Sequence, residues 1–479
     1  HTPGLVSAGR GGSATGVPLG GTGGRTIEAV AGNAAGGVPS VGHGGWVSQV
    51  AGGNATGGAR SLGTGGSISG AGGGPSGAGG SGSTVEPVAG GLGLGSEIHI
   101  NSRVPHDQEQ VQVAVGPGGQ SVAVWLSDSQ AAAGSSELFG QLLDATGMKV
   151  GGEFQISHIA ASSSHDRSHF DVAMASDGSF VVAWSEYAGT DAVYAQRYSA
   201  SGAPLGSRIT VNNDTDAWTE YEVSVARQAG GAFAVLFDWE AGFTVGSRLQ
   251  AYSADGTPLT DQPEWVSDQS RTYRLDLAAL TGGGYVSCWR YHDMDTEIFC
   301  RLAGSDGVAL GSEIHINSTT AGVQDHPRVA ALSHGGFVVA WMSEGTHGDF
   351  IGARVFDSSG SAASGELVAS GPTSEYPEEP AVAASESHFL VVWNGWENGG
   401  YSDEIWGRVF GTDGTSASEV LQVNTSTVGG QTAVQAFSAS SGRALVAWQD
   451  SAREGETFTT ADSPGLGIYG QLVQLPSSH

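Results

Sequence analysis

The chain has 479 residues, too many for one ordinary hydrophobic core, so one large repeat domain or several domains are expected. Its 19 basic and 48 acidic side chains give a formal net charge of −29, a surface that repels phosphate backbones and anionic lipid. Nucleic-acid and membrane-surface binding are therefore not expected, and no run of about 18 apolar residues is present to span a bilayer.

Residues 1–93 stand apart. About one-third of them are Gly, Trp46 is their only aromatic, and their charges are confined to Arg10, Arg25, Glu28, Arg60 and Glu86. The acidic excess thus sits on residues 94–479, and these two stretches are read as separate domains. The first opens without a basic-then-apolar signal segment, as a mature exported protein would after cleavage. A 20-residue repeat runs through it, with SAGRGGSATGVPLGGTGGRT (7–26) aligning to IEAVAGNAAGGVPSVGHGGW (27–46) and VSQVAGGNATGGARSLGTGG (47–66). A flexible stalk is one reading, because such a composition buries too little to offset chain entropy. Packed polyproline-II-like legs, alone or in an assembly with other copies, are the other.

The first strand-like segment, LGSEIHINS at 94–102, returns letter for letter at 310–318. A self-match at that distance signals a repeat architecture. Stacking the chain on SVAVW, FVVAW, FAVLF, YVSCW, FVVAW, FLVVW and ALVAW puts Trp125, Trp184, Phe237, Trp289, Trp341, Trp393 and Trp448 in one column. Their intervals are 59, 53, 52, 52, 52 and 55 residues. Each unit reads as four strands, with an alternating strand, a Gly or Ser turn, the apolar strand ending in the aromatic, a variable loop, a third strand, a DxxG-type hairpin and a GSEIHIN-like fourth strand. No amphipathic helix is evident. Four strands per period of about 50 residues predict an all-β, seven-bladed β-propeller, with the aromatic column wedged between blades.

The last unit ends after its third strand, GIYGQLVQL at 467–475, while residues 95–101 supply a fourth strand with no blade before it. Moving Glu97, Ile98, His99 and Ile100 to the last blade closes the ring and removes an open sheet edge. Completion of a neighbouring molecule's blade is the alternative. Cys288 and Cys300 replace small residues on the second and third strands of one unit, which argues for a cross-strand disulfide over two reduced thiols.

Candidate ligand residues are sparse. Asp293, Asp295 and Glu297 alternate along HDMDTE and offer oxygens to Ca²⁺, though the loop lacks a complete calcium motif. His165 and His169 in SHDRSHFD lie in a loop entering a strand, where no helix enforces a metal geometry. His106, Asp107, Asp166, Asp216, Asp268, Asp325, His326, Glu375, Glu378 and Glu379 precede the first strands and predict an acidic rim on one face, for a cation, a sugar or simply for solubility. Gln108, Gln324 and Gln431 share a position 17 residues before the aromatic and predict a repeated hydrogen bond. Nucleophile-elbow, zincin and P-loop motifs are absent, and Gly72, Gly74 and Gly77 match a dinucleotide pattern only through composition.

The GGFVVAW and IGARVFDSSG segments, clearest over 328–370, resemble the repeats of bacterial exported seven-bladed propeller proteins. The resemblance covers 95–475 and implies the fold and an extracellular or cell-surface setting. No cofactor follows from it, nor any catalytic residue. The expected function is a non-catalytic structural or adhesive surface protein that associates with its own copies through the Gly-rich segment. The alternatives are a lectin-like binder of surface glycans or cations and a propeller glycoside hydrolase or lyase, whose carboxylates would be scattered over blades.

Overall fold

Period-2 apolar patterning and fixed turn signals dictate short antiparallel strands, and the computed structural model contains strands and no helix among its described residues. Described are residues 93–476 except 103–106, 129–135, 160–168, 188–190, 213–221, 242–243, 268–271, 293–295, 346–347, 372–373, 398–402, 428–429, 439–441 and 452–465. The Gly-rich repeat, and any assembly through it, lie outside them.

Seven four-stranded antiparallel sheets form, each in simple sequence order except the last. They span residues 108–159 (blade 1), 170–210 (blade 2), 223–265 (blade 3), 272–315 (blade 4), 323–368 (blade 5), 374–422 (blade 6) and 431–474 (blade 7). Blade 7 takes its outer strand from the start of the chain, as Gly93–His99 pairs antiparallel with Gly467–Gln474. His99 lies opposite Tyr469 and stacks on its ring at 4.7 Å. The ring therefore closes within one chain.

Each aromatic of the column is fully buried and packs against the preceding blade. Trp184 sits in one apolar cluster with Val122, Val124 and Leu138 of blade 1, and Trp125 closes the circle against Leu445, Ala447 and Ile468 of blade 7. Among the described residues seven such clusters replace a single core, so the propeller avoids the size limit of one. Cys288 and Cys300 lie directly opposite each other and form a disulfide inside the cluster that receives Trp341. The predicted Gln bond holds twice, from Trp125 Nε1 to Gln108 Oε1 at 2.8 Å and from Trp341 Nε1 to Gln324 Oε1 at 3.1 Å. Gln431 instead accepts from Asn424 Nδ2.

The duplicated nonapeptide is explained by what its residues touch. Asn101 Oδ1 and Asn317 Oδ1 accept the N–H that opens the third strand of their blades, from Ile468 and Ile298. Glu97 reaches back to blade 6, where it accepts from the backbone N–H groups of Thr425 and Ser426. Ser102 and Ser318 receive the same kind of contact from Glu153 and Glu366 of the following blades. Ile98 and Ile314 lie beneath the next blade's hairpin, 2.4 Å from where a Cβ would sit on Gly147 and Gly360, both at positive φ. Neither copy can change without disturbing two neighbouring blades.

Candidate active site at the axial channel

The first strand of every blade touches the first strand of the next, all the way around the ring. Between them runs an axial channel of about 220 Å³. One residue per blade enters it from the position opposite the residue before the wedge aromatic: Gln112, Asp171, Ser224, Asp276, Arg328, Ala381 and Gln435. In this ring of seven the ionisable groups come from blades 2, 4 and 5, and Arg227 of blade 3 also lines the channel.

Asp171 and Asp276 share one hydroxyl. Ser224 Oγ lies 2.9 Å from Asp171 Oδ2 and 3.4 Å from Asp276 Oδ1. Both carboxyls also clasp the next blade, with Asp171 accepting from Val225 N at 2.8 Å and Asp276 from Val329 N at 2.6 Å. Burial pushes Asp171 up to about 7, against the Val225 N–H and with added repulsion from Asp276. Asp276 is also raised by burial, offset by Arg328.

Just above this ring the first strands bulge. Ladder register shifts at Glu109/Gln112, Tyr273/Asp276, Asp325/Arg328 and Thr432/Gln435. Gln110, Arg274 and His326 take positive φ there, at 55°, 56° and 51°. Bulges re-aim side chains and concentrate at functional sites. At blades 3–5 the re-aimed groups form a charged cluster. Arg290 pairs with Asp325, whose other oxygen lies 3.6 Å from His326 Nδ1. Arg274 lies 3.8 Å from Glu222, which accepts from Leu275 N. Burial lowers His326 to about 4, opposed by Asp325 and reinforced by Arg274, Arg328 and Arg290, so the imidazole is neutral at neutral pH. Asp238, buried beneath Glu222, is raised well above the usual carboxylate range by burial and that neighbour.

The expected acidic rim is thus divided. Acidic groups gather on blades 5 and 6, where burial and mutual repulsion raise Glu344 and Glu378. Arginines gather on blades 4 and 5. Asp325 and His326 belong to the mouth cluster, while Asp107 accepts from Leu466 N. His106, His165, Asp166, Asp216 and Asp268 lie outside the described residues, as does the side chain of Glu375. The Ca²⁺ candidates do not form a described site. Asp293 and Asp295 lie outside the described residues, and Glu297 is taken up by Asn317 Nδ2 and His315 Nε2. Among the described residues no group of three His, Cys, Asp or Glu is placed to hold a metal.

Asp171, Asp276, Arg274 and Arg328 escaped the sequence reading, although all but Arg274 stand 13 residues before the aromatic. Blade 6 obscures that column because its first hairpin, closed by Ser385 N to His388 O, is one residue shorter than that of blade 1.

No family model matches the chain, and no curated protein sequence matches it. Among solved structures it is similar to an ulvan lyase, a polysaccharide lyase bound to GlcA(1-4)Rha3S, at 10% identity and TM-score 0.50, over 79% of this chain and 96% of that one. A Dyadobacter fermentans protein of unknown function matches over 81% of this chain and 100% of its own, at 12% identity and TM-score 0.47. A Penicillium chrysogenum alpha-L-arabinanase covers 78% and 97% of the two chains, at 10% identity and TM-score 0.37. The ulvan lyase likeness bears on the fold alone, and it agrees with the seven four-stranded blades of a β-propeller seen here. It also corrects the expectation of a non-catalytic structural or adhesive protein, since the solved structure it resembles in fold is that of an enzyme.

Proposed function

We propose that the protein cleaves an acidic polysaccharide by β-elimination at the mouth of the axial channel. The observation that carries the reading is the Arg290–Asp325–His326 chain beside Arg274 and Arg328, at a strained bulge over the channel. The ulvan lyase's likeness in fold supports a propeller as the scaffold. The Cys288–Cys300 disulfide supports an extracellular setting.

A uronate entering the cluster places its carboxylate against Arg274, whose side chain is 37% exposed. That charge stabilises the anion formed when the proton α to the carboxylate leaves. His326 is neutral and takes that proton on its ring, while the Asp325 carboxylate, 3.6 Å from Nδ1, stabilises the imidazolium that forms. The C–H electron pair becomes a C4=C5 double bond, the C4–O bond breaks with its electrons going to oxygen, and water protonates the departing oxygen. The substrate's own negative charge raises the imidazole pKa on binding and so strengthens the base. Asp171 and Asp276 fit this scheme less well as reacting groups, because their oxygens already clasp neighbouring blades.

The test is incubation of the full chain with polygalacturonate, alginate and a glucuronate-rich polymer, following new reducing ends and near-UV absorbance of an unsaturated uronate together. Elimination raises both, and His326→Gln and Arg274→Ala each cost at least about a hundredfold, within the range for a lost general base. Reducing ends without near-UV absorbance overturn elimination in favour of hydrolysis, and no cleavage of any polymer overturns the enzymatic reading.

A further inference from the structure

Blade 6 carries a feature its neighbours lack. Its first strand, Ser374–Ala384, breaks ladder register twice, between Glu375 and Glu378 and again between Glu378 and Ala381. Tyr376 and Glu379 both take positive φ, at 53° and 45°. Positive φ is unfavourable for a bulky aromatic, and such strain persists only where the surroundings impose it. Here the opposing strand does so. Gly395 meets Tyr376 so closely that a Cβ on it would lie 2.9 Å from the Tyr376 carbonyl oxygen and 3.0 Å from Pro377 Cα. The Gly395 carbonyl is itself held by Trp406 Nε1 at 3.0 Å.

The outcome is an aromatic side chain held up in water. Tyr376 is 61% exposed, on the innermost strand and five positions before the channel residue Ala381. One ring edge is buttressed by Trp396 in a T-shaped contact at 5.3 Å and 73°, and Trp396 Nε1 donates to Asp403 Oδ1 at 2.9 Å. Glu378, Glu379 and Asp403 stand close enough to one another for repulsion to contribute to the raised state of Glu378.

We propose that Tyr376 is a stacking platform for a neutral sugar ring of the polysaccharide, a subsite on the blade next to the one that carries Asp325, His326 and Arg328. This rests on the carbohydrate reading above. A pyranose face presents C–H groups to an aromatic ring, while its rim of hydroxyls donates hydrogen bonds to carboxylates such as Glu378 and Glu379. An anionic sugar is repelled by the same acids, and a lipid or apolar peptide leaves them without partners. The strain fixes the platform's orientation before the ligand arrives, which limits the entropy lost on binding.

The experiment is calorimetric titration of the full chain, in the His326→Gln background so that nothing is cleaved, with hexasaccharides of β-linked glucose, mannose, xylose and galactose. At least one binds. Tyr376→Ala weakens that binding about five- to tenfold, while Tyr376→Phe and Tyr376→Trp keep it, as expected of a stacking contact. Thermal unfolding of Tyr376→Ala stays within about one degree of the parent, separating loss of the platform from loss of fold. Equal affinity in Tyr376→Ala, an equal loss in Tyr376→Phe, or no neutral hexasaccharide bound by the parent overturns the inference. Cleavage of an acidic polymer that persists alongside any of these leaves the lyase reading standing and sinks the subsite alone.

Discussion

Glu97 Oε1 accepts the backbone N–H of Ser426 at 2.9 Å, joining residues 329 positions apart in the chain. The contact belongs to the same set that Glu153 and Glu366 make with Ser102 and Ser318, and at Glu97 it also fastens the strand that closes the ring. Glu97→Ala should cost about 1–2 kcal/mol, as charge-assisted bonds at a partly exposed site do. Deleting residues 95–101 should do far more, baring the edge of Gly467–Gln474 and reducing soluble monomer sharply. Chemical denaturation and size-exclusion chromatography check both, and unchanged unfolding in the deletion contradicts closure.

The Cys288–Cys300 disulfide closes a loop of 12 residues. Such a loop contributes roughly 2–3 kcal/mol. Reductant, or the paired substitution Cys288→Ala with Cys300→Ala, should lower the melting temperature without altering the far-UV spectrum. Equal melting with and without reductant would argue that the cross-link adds nothing to the packing around it.

Gly360 tests the nonapeptide's packing. At φ 83° and with Ile314 Cδ1 in the path of a Cβ, Gly360→Ala should cost more than about 1 kcal/mol. Ile314→Val removes the obstructing methyl and alone should cost about 0.5–1.5 kcal/mol. The double variant should be more stable than the sum of the two losses implies, since only the backbone term remains. Strict additivity would mean the two residues do not meet.

Asp171 and His326 should give opposite pH dependences of stability. Asp171 has its folded-state value raised to about 7, chiefly by burial and further by Asp276, so its contribution is complete below about 4 and is lost as pH rises toward 7. His326 has its value lowered to about 4 by burial and by Arg274, Arg328 and Arg290, against Asp325. Its contribution is absent below about 4 and grows as pH rises toward 6.5. The two nearly cancel in the parent. Relative to it, Asp171→Asn should be stabilised progressively as pH rises from 4 to 7, and His326→Gln destabilised progressively as pH rises from 4 to 6.5. Denaturation across that range reads both slopes, and two slopes of the same sign would refute the assignment.

What the sequence determined by itself is the repeat. Fixed intervals between Trp125, Trp184, Phe237, Trp289, Trp341, Trp393 and Trp448, together with period-2 strands and DxxG turns, specify seven four-stranded blades because each blade's apolar faces can be buried only against its neighbours. The spare strand at 94–102 and the cysteine pair were legible for the same reason, as departures from a pattern already counted. Of the candidate site, Asp325 and His326 were legible as rim residues, while the channel residues they stand above were not. Asp171, Ser224, Asp276 and Arg328 lie roughly 50 residues apart along the chain, and each looks like one polar residue in an otherwise ordinary strand. Only ring closure brings their strands around one axis, and only the bulges at Arg274 and His326 turn those side chains toward a shared mouth. Burial on that axis then sets their charge states, a property of the surrounding dielectric that no single strand carries.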